Sequence, residues 1–145
     1  MKIAIGADHA GYEVKEQLKN YLKEKGHQVA DFGTYSTASC DYPDYAFATA
    51  KAVADGHCER AILICGTGIG VSICANKVKG VRCALCHDLF TAKTCREHND
   101  ANCIAMGARI VPIDTIFAMT DAFLTTDFLG GRHQKRIDKL GKYEG

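Results

Sequence analysis

Cys65 stands where an apolar run, Ala61-Ile62-Leu63-Ile64, meets a glycine-rich turn, Gly66-Thr67-Gly68-Ile69-Gly70. The N–H groups of such a turn, opening a helix, converge on one point and suit a phosphate or a developing oxyanion. A thiol there feels the positive end of the helix, which favours the thiolate, and Thr67 sets a hydroxyl beside it. The bland alternative is one more buried cysteine among eight. The position at a strand terminus favours a site. The turn is not a Walker A loop, because no Gly-Lys-Ser/Thr follows, so ATP hydrolysis has no support.

Three further stretches carry polar chemistry. Gly6-Ala7-Asp8-His9-Ala10-Gly11 lacks the middle glycine of a dinucleotide fingerprint, and Asp8 would set a negative charge near a pyrophosphate. NAD is therefore disfavoured, although Asp31 lies about where a ribose-binding acid would. Asp8 and His9 read instead as contacts to a sugar; a cap on the first helix explains Asp8 equally well. His98 and Asn99 close a helical stretch, where an imidazole suits acid–base work; taken alone, a surface histidine at a helix end is the simpler reading. Arg132 and Arg136, four apart on one helix face, suit a phosphate together with Arg109; a solvated basic helix is the default for that run. Combined, these groups point to a small phosphorylated ligand, a thiolate base and a histidine acid. That set fits a metal-free proton transfer alpha to a carbonyl, with no cofactor.

The elements that must position these residues alternate along the chain. Strands are expected at 2–7, 29–32, 61–65, 81–86 and 102–106. Helices are expected at 10–25, from Pro43 to 54, at 68–78 and 88–97, from Pro112 to 123, and at 133–143. Val14, Leu18, Tyr21 and Leu22 share one face of the first helix, opposite its lysines and glutamates. Alternation of this kind predicts a three-layer, Rossmann-like, doubly wound α/β fold. About five parallel strands would carry helices on both faces, joined by right-handed crossovers. Ligands in such sheets bind beyond the carboxyl ends of the strands. The residues to inspect are then Asp8-His9, Cys65 to Gly70, His87-Asp88 and Gly107 to Arg109.

Length and charge narrow the partners. The 145 residues suit one domain with a real core, and the net charge of +1 gives no case for binding nucleic acid. No apolar run reaches the roughly 20 residues a membrane helix needs. Met1 to Gly6 reads as a first strand rather than a secretion signal, so a cytoplasmic home is expected. Eight cysteines without such a signal read as reduced, mostly buried residues rather than a disulfide framework. Cys83 and Cys86 lack a second pair for zinc, and on a strand they would face opposite ways.

The chain resembles the ribose-5-phosphate isomerase B family, which also includes the galactose-6-phosphate and allose-6-phosphate isomerases. The likeness rests on the stretches around Asp8, Cys65 and His98, on Asp41-Tyr42-Pro43-Asp44-Tyr45-Ala46 and Ala75-Asn76-Lys77-Val78-Lys79-Gly80, and on Arg132-His133. It implies an aldose–ketose isomerase working through an enediolate. Cys65 would move a proton between C2 and C1, and His98 would open the furanose ring. The N–H groups of Gly66, Thr67, Gly68, Ile69 and Gly70 would stabilise the enediolate. Asp8, His9 and Asn99 would contact the sugar, and Arg109, Arg132 and Arg136 the phosphate. The family likeness also implies a homodimer with sites built from both subunits, and leaves open whether dimers pair into tetramers. One branch carries a carboxylate where this chain has Gly70; Cys65 with that glycine resembles the thiol branch. A six-carbon sugar phosphate as substrate, and a non-catalytic sugar-phosphate-binding protein, remain the alternatives.

Overall fold

A computed structural model describes residues Met1–Gly145. Its strands are β1 (Lys2–Ala7), β2 (Gln28–Asp31), β3 (Arg60–Cys65), β4 (Cys83–Leu85) and β5 (Cys103–Gly107). Its helices are α1 (Tyr12–Glu24), α2 (Tyr42–Ala54), α3 (Ile69–Asn76), α4 (Leu89–Asn99), α5 (Ile113–Thr125) and α6 (Arg132–Glu144). The strands form one parallel sheet in the order β2-β1-β3-β5-β4. The expected α/β class and doubly wound sheet are observed. The chain winds outward from β1 to β2, then crosses back to β3, so the switch point lies between β1 and β3.

The sheet is two-sided, and its sides differ in side-chain size. Ile3 and Ile5 of β1, Ile62 and Ile64 of β3, and Ile104 and Met106 of β5 face one core with Leu18 and Leu22 of α1, Ala92 and Cys95 of α4, and Phe123 of α5. Ala4, Ala61, Leu63, Cys103 and Ala105 face the other core with Ala46 and Ala50 of α2 and Val71 and Ala75 of α3. This is the period of two that a strand buried on both faces requires. Alanines on both surfaces let α2 sit close to β1: Gly6 lies directly beneath the Thr49 side chain. Six of the eight cysteines are buried and all eight are free thiols. Cys83 and Cys103 are neighbours across β4 and β5, whereas Cys86, just past β4, turns to the opposite core.

Several element boundaries differ from the sequence reading by one or two residues, and β4 and α4 show why. β4 spans three residues rather than six: the Arg82 N–H is taken by the Asn102 side-chain oxygen (2.8 Å) in place of a strand carbonyl, although the Arg82 carbonyl still accepts from Cys103 N–H (3.2 Å). α4 continues two residues further, to Asn99, and stops at Asp100 in a left-handed conformation (φ 45°). The buried Arg96 fixes that end. Its guanidinium donates to Asp100 Oδ1 (2.8 Å), the Ala101 carbonyl (2.7 Å) and the Thr126 carbonyl (3.3 Å).

Lys15 is fully buried on α1, and its ammonium pairs with Asp31 at the end of β2 (2.7 Å) and with Glu16 (2.9 Å). Lys19 joins the same carboxylates, and the Gly33 N–H donates to Asp31. Asp31 is thus engaged by α1 and does not stand free as a ribose-binding acid. Burial works to raise its pKa, but Lys15, Lys19 and the Gly33 N–H outweigh burial and hold it below the usual carboxylate value. A lowered folded pKa means stability that is present above about pH 4 and lost as pH falls through the folded value. Asp31→Asn leaves a buried ammonium short of its partner and is expected to cost about 3 kcal/mol at neutral pH. Urea denaturation at pH 7 and then below pH 4 checks this; the variant should lose less further stability in acid than the wild type.

Candidate active site

A cavity of about 530 Å3 opens at the carboxyl ends of β1 and β3. Its walls come from the loops after those strands, from Arg109 beyond β5, and from Tyr42 at the start of α2. Cys65 is the last residue of β3, 6% exposed, and it lines the cavity. The Gly68 N–H donates to Cys65 Sγ at 3.1 Å. Gly68 has φ +80°, a conformation that only glycine adopts readily, and a Cβ there would meet Leu85 and the β5 backbone. The turn that aims an N–H at the sulfur therefore requires that glycine.

The turn has fewer free donors than its sequence predicts. The Gly68 N–H is taken by the thiol, and the Ile69 N–H by Thr67 Oγ1 (3.2 Å). The N–H groups of Gly66, Thr67 and Gly70 make no hydrogen bond within the chain. They are the donors left for a bound anion. Thr67 braces the turn with its hydroxyl, and its own N–H is among the free ones. The Arg109 side chain lies against Gly66, which puts a cation beside these donors.

Asp8 settles an ambiguity of the sequence. Its Oδ1 accepts from the N–H groups of Ala10 (2.9 Å) and Gly11 (3.1 Å). It braces the loop ahead of α1, while Gly11, not Asp8, is the N-cap. Its carboxylate still faces the cavity. His9 Nδ1 accepts the N–H of Cys40 (3.2 Å), which leaves Nε2–H as the donor open to a ligand in the neutral ring. Of the other strand-end residues, Asp88 caps α4 by accepting from Thr91 N–H at 2.7 Å and takes no part in the cavity.

His98, Asn99, Arg132 and Arg136 do not line this cavity. α4 runs back along the sheet, so its last turn finishes beside the amino ends of the strands. Arg82, just ahead of β4, donates to the Asn99 and Asp100 carbonyls there (3.0 and 2.9 Å). A strand of five or six residues spans roughly 17–20 Å, so His98 and Cys65 are at opposite ends of the sheet within one chain. At that far end His98 stacks on His133, ring centroids 4.3 Å apart, at the head of the helix that carries Arg132 and Arg136. The chain thus holds two candidate half-sites. One has the thiol, the free N–H donors, Asp8, His9 and Arg109; the other has two imidazoles, an amide and two guanidinium groups.

A larger cavity of about 760 Å3 lies beside the second half-site, between the end of α6 and the segment 76–84. It holds Lys77, Lys79 and Arg82 but neither thiolate candidate nor imidazole. No three His, Cys, Asp or Glu side chains converge to hold a metal ion, and no helix is long and apolar enough to cross a membrane.

Residues 3–140 match the model of a protein family described as Ribose/Galactose Isomerase. The chain belongs to this isomerase family. It is 43% identical to ribose-5-phosphate isomerase B of Escherichia coli K12 over 143 residues, 99% of this chain and 96% of that one. The structure of Clostridium thermocellum ribose-5-phosphate isomerase B superposes with a TM-score of 0.98 at 49% identity, covering 99% of this chain and 97% of that one. The Mycoplasma genitalium ribose-5-phosphate isomerase B structure, solved with bound ribulose 5-phosphate, gives 0.94 at 43% identity, covering 99% and 95%.

Sequence reasoning passed over His133 and Tyr42. Both lie in stretches that carry the family likeness, Asp41 to Ala46 and Arg132-His133, but neither is given a role of its own in the site. Burial, and then the positive charges of His98, Arg132 and Arg136, hold His133 below the usual imidazole pKa. The unfolded chain therefore takes up that proton more readily. This histidine makes the fold less stable as pH drops below about 6.5, until the folded value is passed. His133→Gln is expected to flatten the fall in Tm between pH 7.5 and 5; an unchanged slope would remove His133 from this role.

Proposed function

We propose that the chain interconverts ribose 5-phosphate and ribulose 5-phosphate through an enediolate. The observation that carries the reading is Cys65 at a cavity wall, faced by a Gly68 N–H and flanked by the free donors of Gly66, Thr67 and Gly70. Membership of the isomerase family, and the ribulose 5-phosphate bound to a relative with the same fold, support it.

The chemistry follows from the two half-sites. His98 donates a proton to the furanose ring oxygen as the anomeric hydroxyl gives up its own proton to water and the ring opens to the aldehyde. The Cys65 thiolate removes the proton from C2, and the electron pair moves toward the carbonyl oxygen. The N–H groups of Gly66, Thr67 and Gly70 hold the charge that develops on that oxygen. The thiol returns the proton to C1 while the hydroxyl proton on O2 passes to O1, so that C2 becomes the carbonyl of the ketose. Asp8, His9 and Asn99 orient hydroxyl groups, and Arg109, Arg132 and Arg136 hold the phosphate. Because the phosphate is remote from C1 and C2, its binding energy serves to position the reacting carbons.

His98 and Cys65 lie on opposite ends of the sheet, so one chain cannot apply both to one sugar. A homodimer supplies the remedy. Two-fold pairing sets the thiol half of each subunit against the imidazole half of its partner and makes two equivalent sites. A cytoplasmic setting suits the reduced thiols on which this chemistry depends.

Two experiments test the reading. Isomerisation of ribose 5-phosphate is measured with EDTA present; Cys65→Ala is expected to abolish turnover while sugar-phosphate affinity stays within about tenfold, or about 1.4 kcal/mol. Appreciable turnover by that variant would overturn the role of Cys65. Mixing and reannealing Cys65→Ala with His98→Ala should restore about a quarter of wild-type activity, since random pairing leaves one intact site in each mixed dimer. No recovery from confirmed mixed dimers would refute the shared site.

A further inference from the structure

The glycine at position 70 is not required by its backbone, which lacks the positive φ seen at Gly68. It is required by space. A Cβ on Gly70 would lie 2.6, 2.8 and 3.0 Å from Tyr42 Cε1, Cζ and Cδ1, closer than real Cβ atoms stand. The Tyr42 ring is thus seated on the first turn of α3, next to a free N–H of the anion cradle. It is held there by its place as the first residue of α2, ahead of Pro43. Its edge is 40% exposed, its hydroxyl makes no hydrogen bond within the chain, and it lines the same cavity as Cys65 and Arg109.

We propose that Tyr42 is a specificity-determining residue. Its ring, resting on Gly70, closes the α2–α3 side of the cavity and limits the length of the sugar phosphate that fits. The family description spans ribose and galactose, so a wall of this kind is where a five-carbon and a six-carbon chain would be told apart. The inference rests on the isomerase reading. An aromatic wall that touches the sugar but not the reacting carbons acts on binding, and a pocket wall that excludes one extra carbon discriminates by roughly 10–200-fold.

The test is steady-state kinetics on ribose 5-phosphate and allose 6-phosphate for the wild type, Tyr42→Ala, Tyr42→Leu and Tyr42→Phe, with Gly70→Ala alone and combined with Tyr42→Ala. Tyr42→Ala is expected to raise KM for ribose 5-phosphate about tenfold with kcat within about threefold. It should also shift the ratio of kcat/KM by at least about tenfold toward the six-carbon substrate. Tyr42→Phe keeps the wall and should hold that ratio within about twofold. Gly70→Ala should impair the native enzyme and do much less harm in the Tyr42→Ala background, where the space is free. Should Tyr42→Ala fail to fold, Tyr42→Leu, which keeps apolar packing but has less reach, carries the same expected shift. Wild-type turnover with a ratio unmoved in every folded Tyr42 variant overturns the inference alone. Wild-type enzyme that turns over neither sugar phosphate overturns the isomerase reading and this inference with it.

Discussion

A parallel sheet separates its two ends, and the architecture of the active site follows from that constraint. Every strand points the same way, so every loop after a strand lies on one edge and every return from a helix lies on the other. Cys65, Asp8 and the glycine turn are at the first edge; His98 and Asn99, at the close of a returning helix, are at the second. No rotamer change bridges a strand's length. The mechanism proposed for this chain, with a base at carbon and an acid at the ring oxygen, would therefore draw them from two molecules. Under that proposal dimerisation is a requirement of the chemistry rather than an addition to it.

The thiol's surroundings follow from the same sheet. β3 is its central strand, flanked by β1 and β5, so Cys65 is held from both sides up to its last residue. The size asymmetry of the cores supports this placement. Isoleucines fill the α1–α5 side, while alanines and glycines bring α2 and α3 close on the other. That close approach delivers Tyr42 to Gly70 and α3's first turn to the thiol. At the outer strand, Asp31 fastens β2 to α1 through Lys15, an ionic contact rather than an apolar one.

Much of the scaffold was legible because its signals are local. Apolar runs bounded by charge and glycine marked β1 and β3 to within a residue, and Pro43 and Pro112 marked the heads of two helices. β4 is shorter than its pattern suggests because Val81 and Arg82 look like strand residues, yet the Arg82 N–H is taken by the Asn102 side chain rather than by a strand carbonyl. Asp8 was ambiguous for a related reason: one carboxylate braces its loop with one oxygen and still faces the cavity. What local pattern could not give was distance. The proposed mechanism joins His98 to Cys65, and nothing in their spacing reveals that they lie at opposite ends of the same sheet.

The glycine turn shows how one short segment meets three demands at once. Gly68 is needed for a left-handed backbone and Gly70 for the Tyr42 ring, while Gly66 leaves room for the charged Arg109 side chain against it. Three glycines that look alike in sequence thus answer to conformation, to charge and to shape. Any side chain at 70 would need the volume the ring now fills, so residue 70 and the aromatic ring beside it cannot be exchanged independently. Under the proposed mechanism a base on the strand, as Cys65, leaves the α3 side of the cavity free for that ring, and a base at 70 would oblige the ring to move.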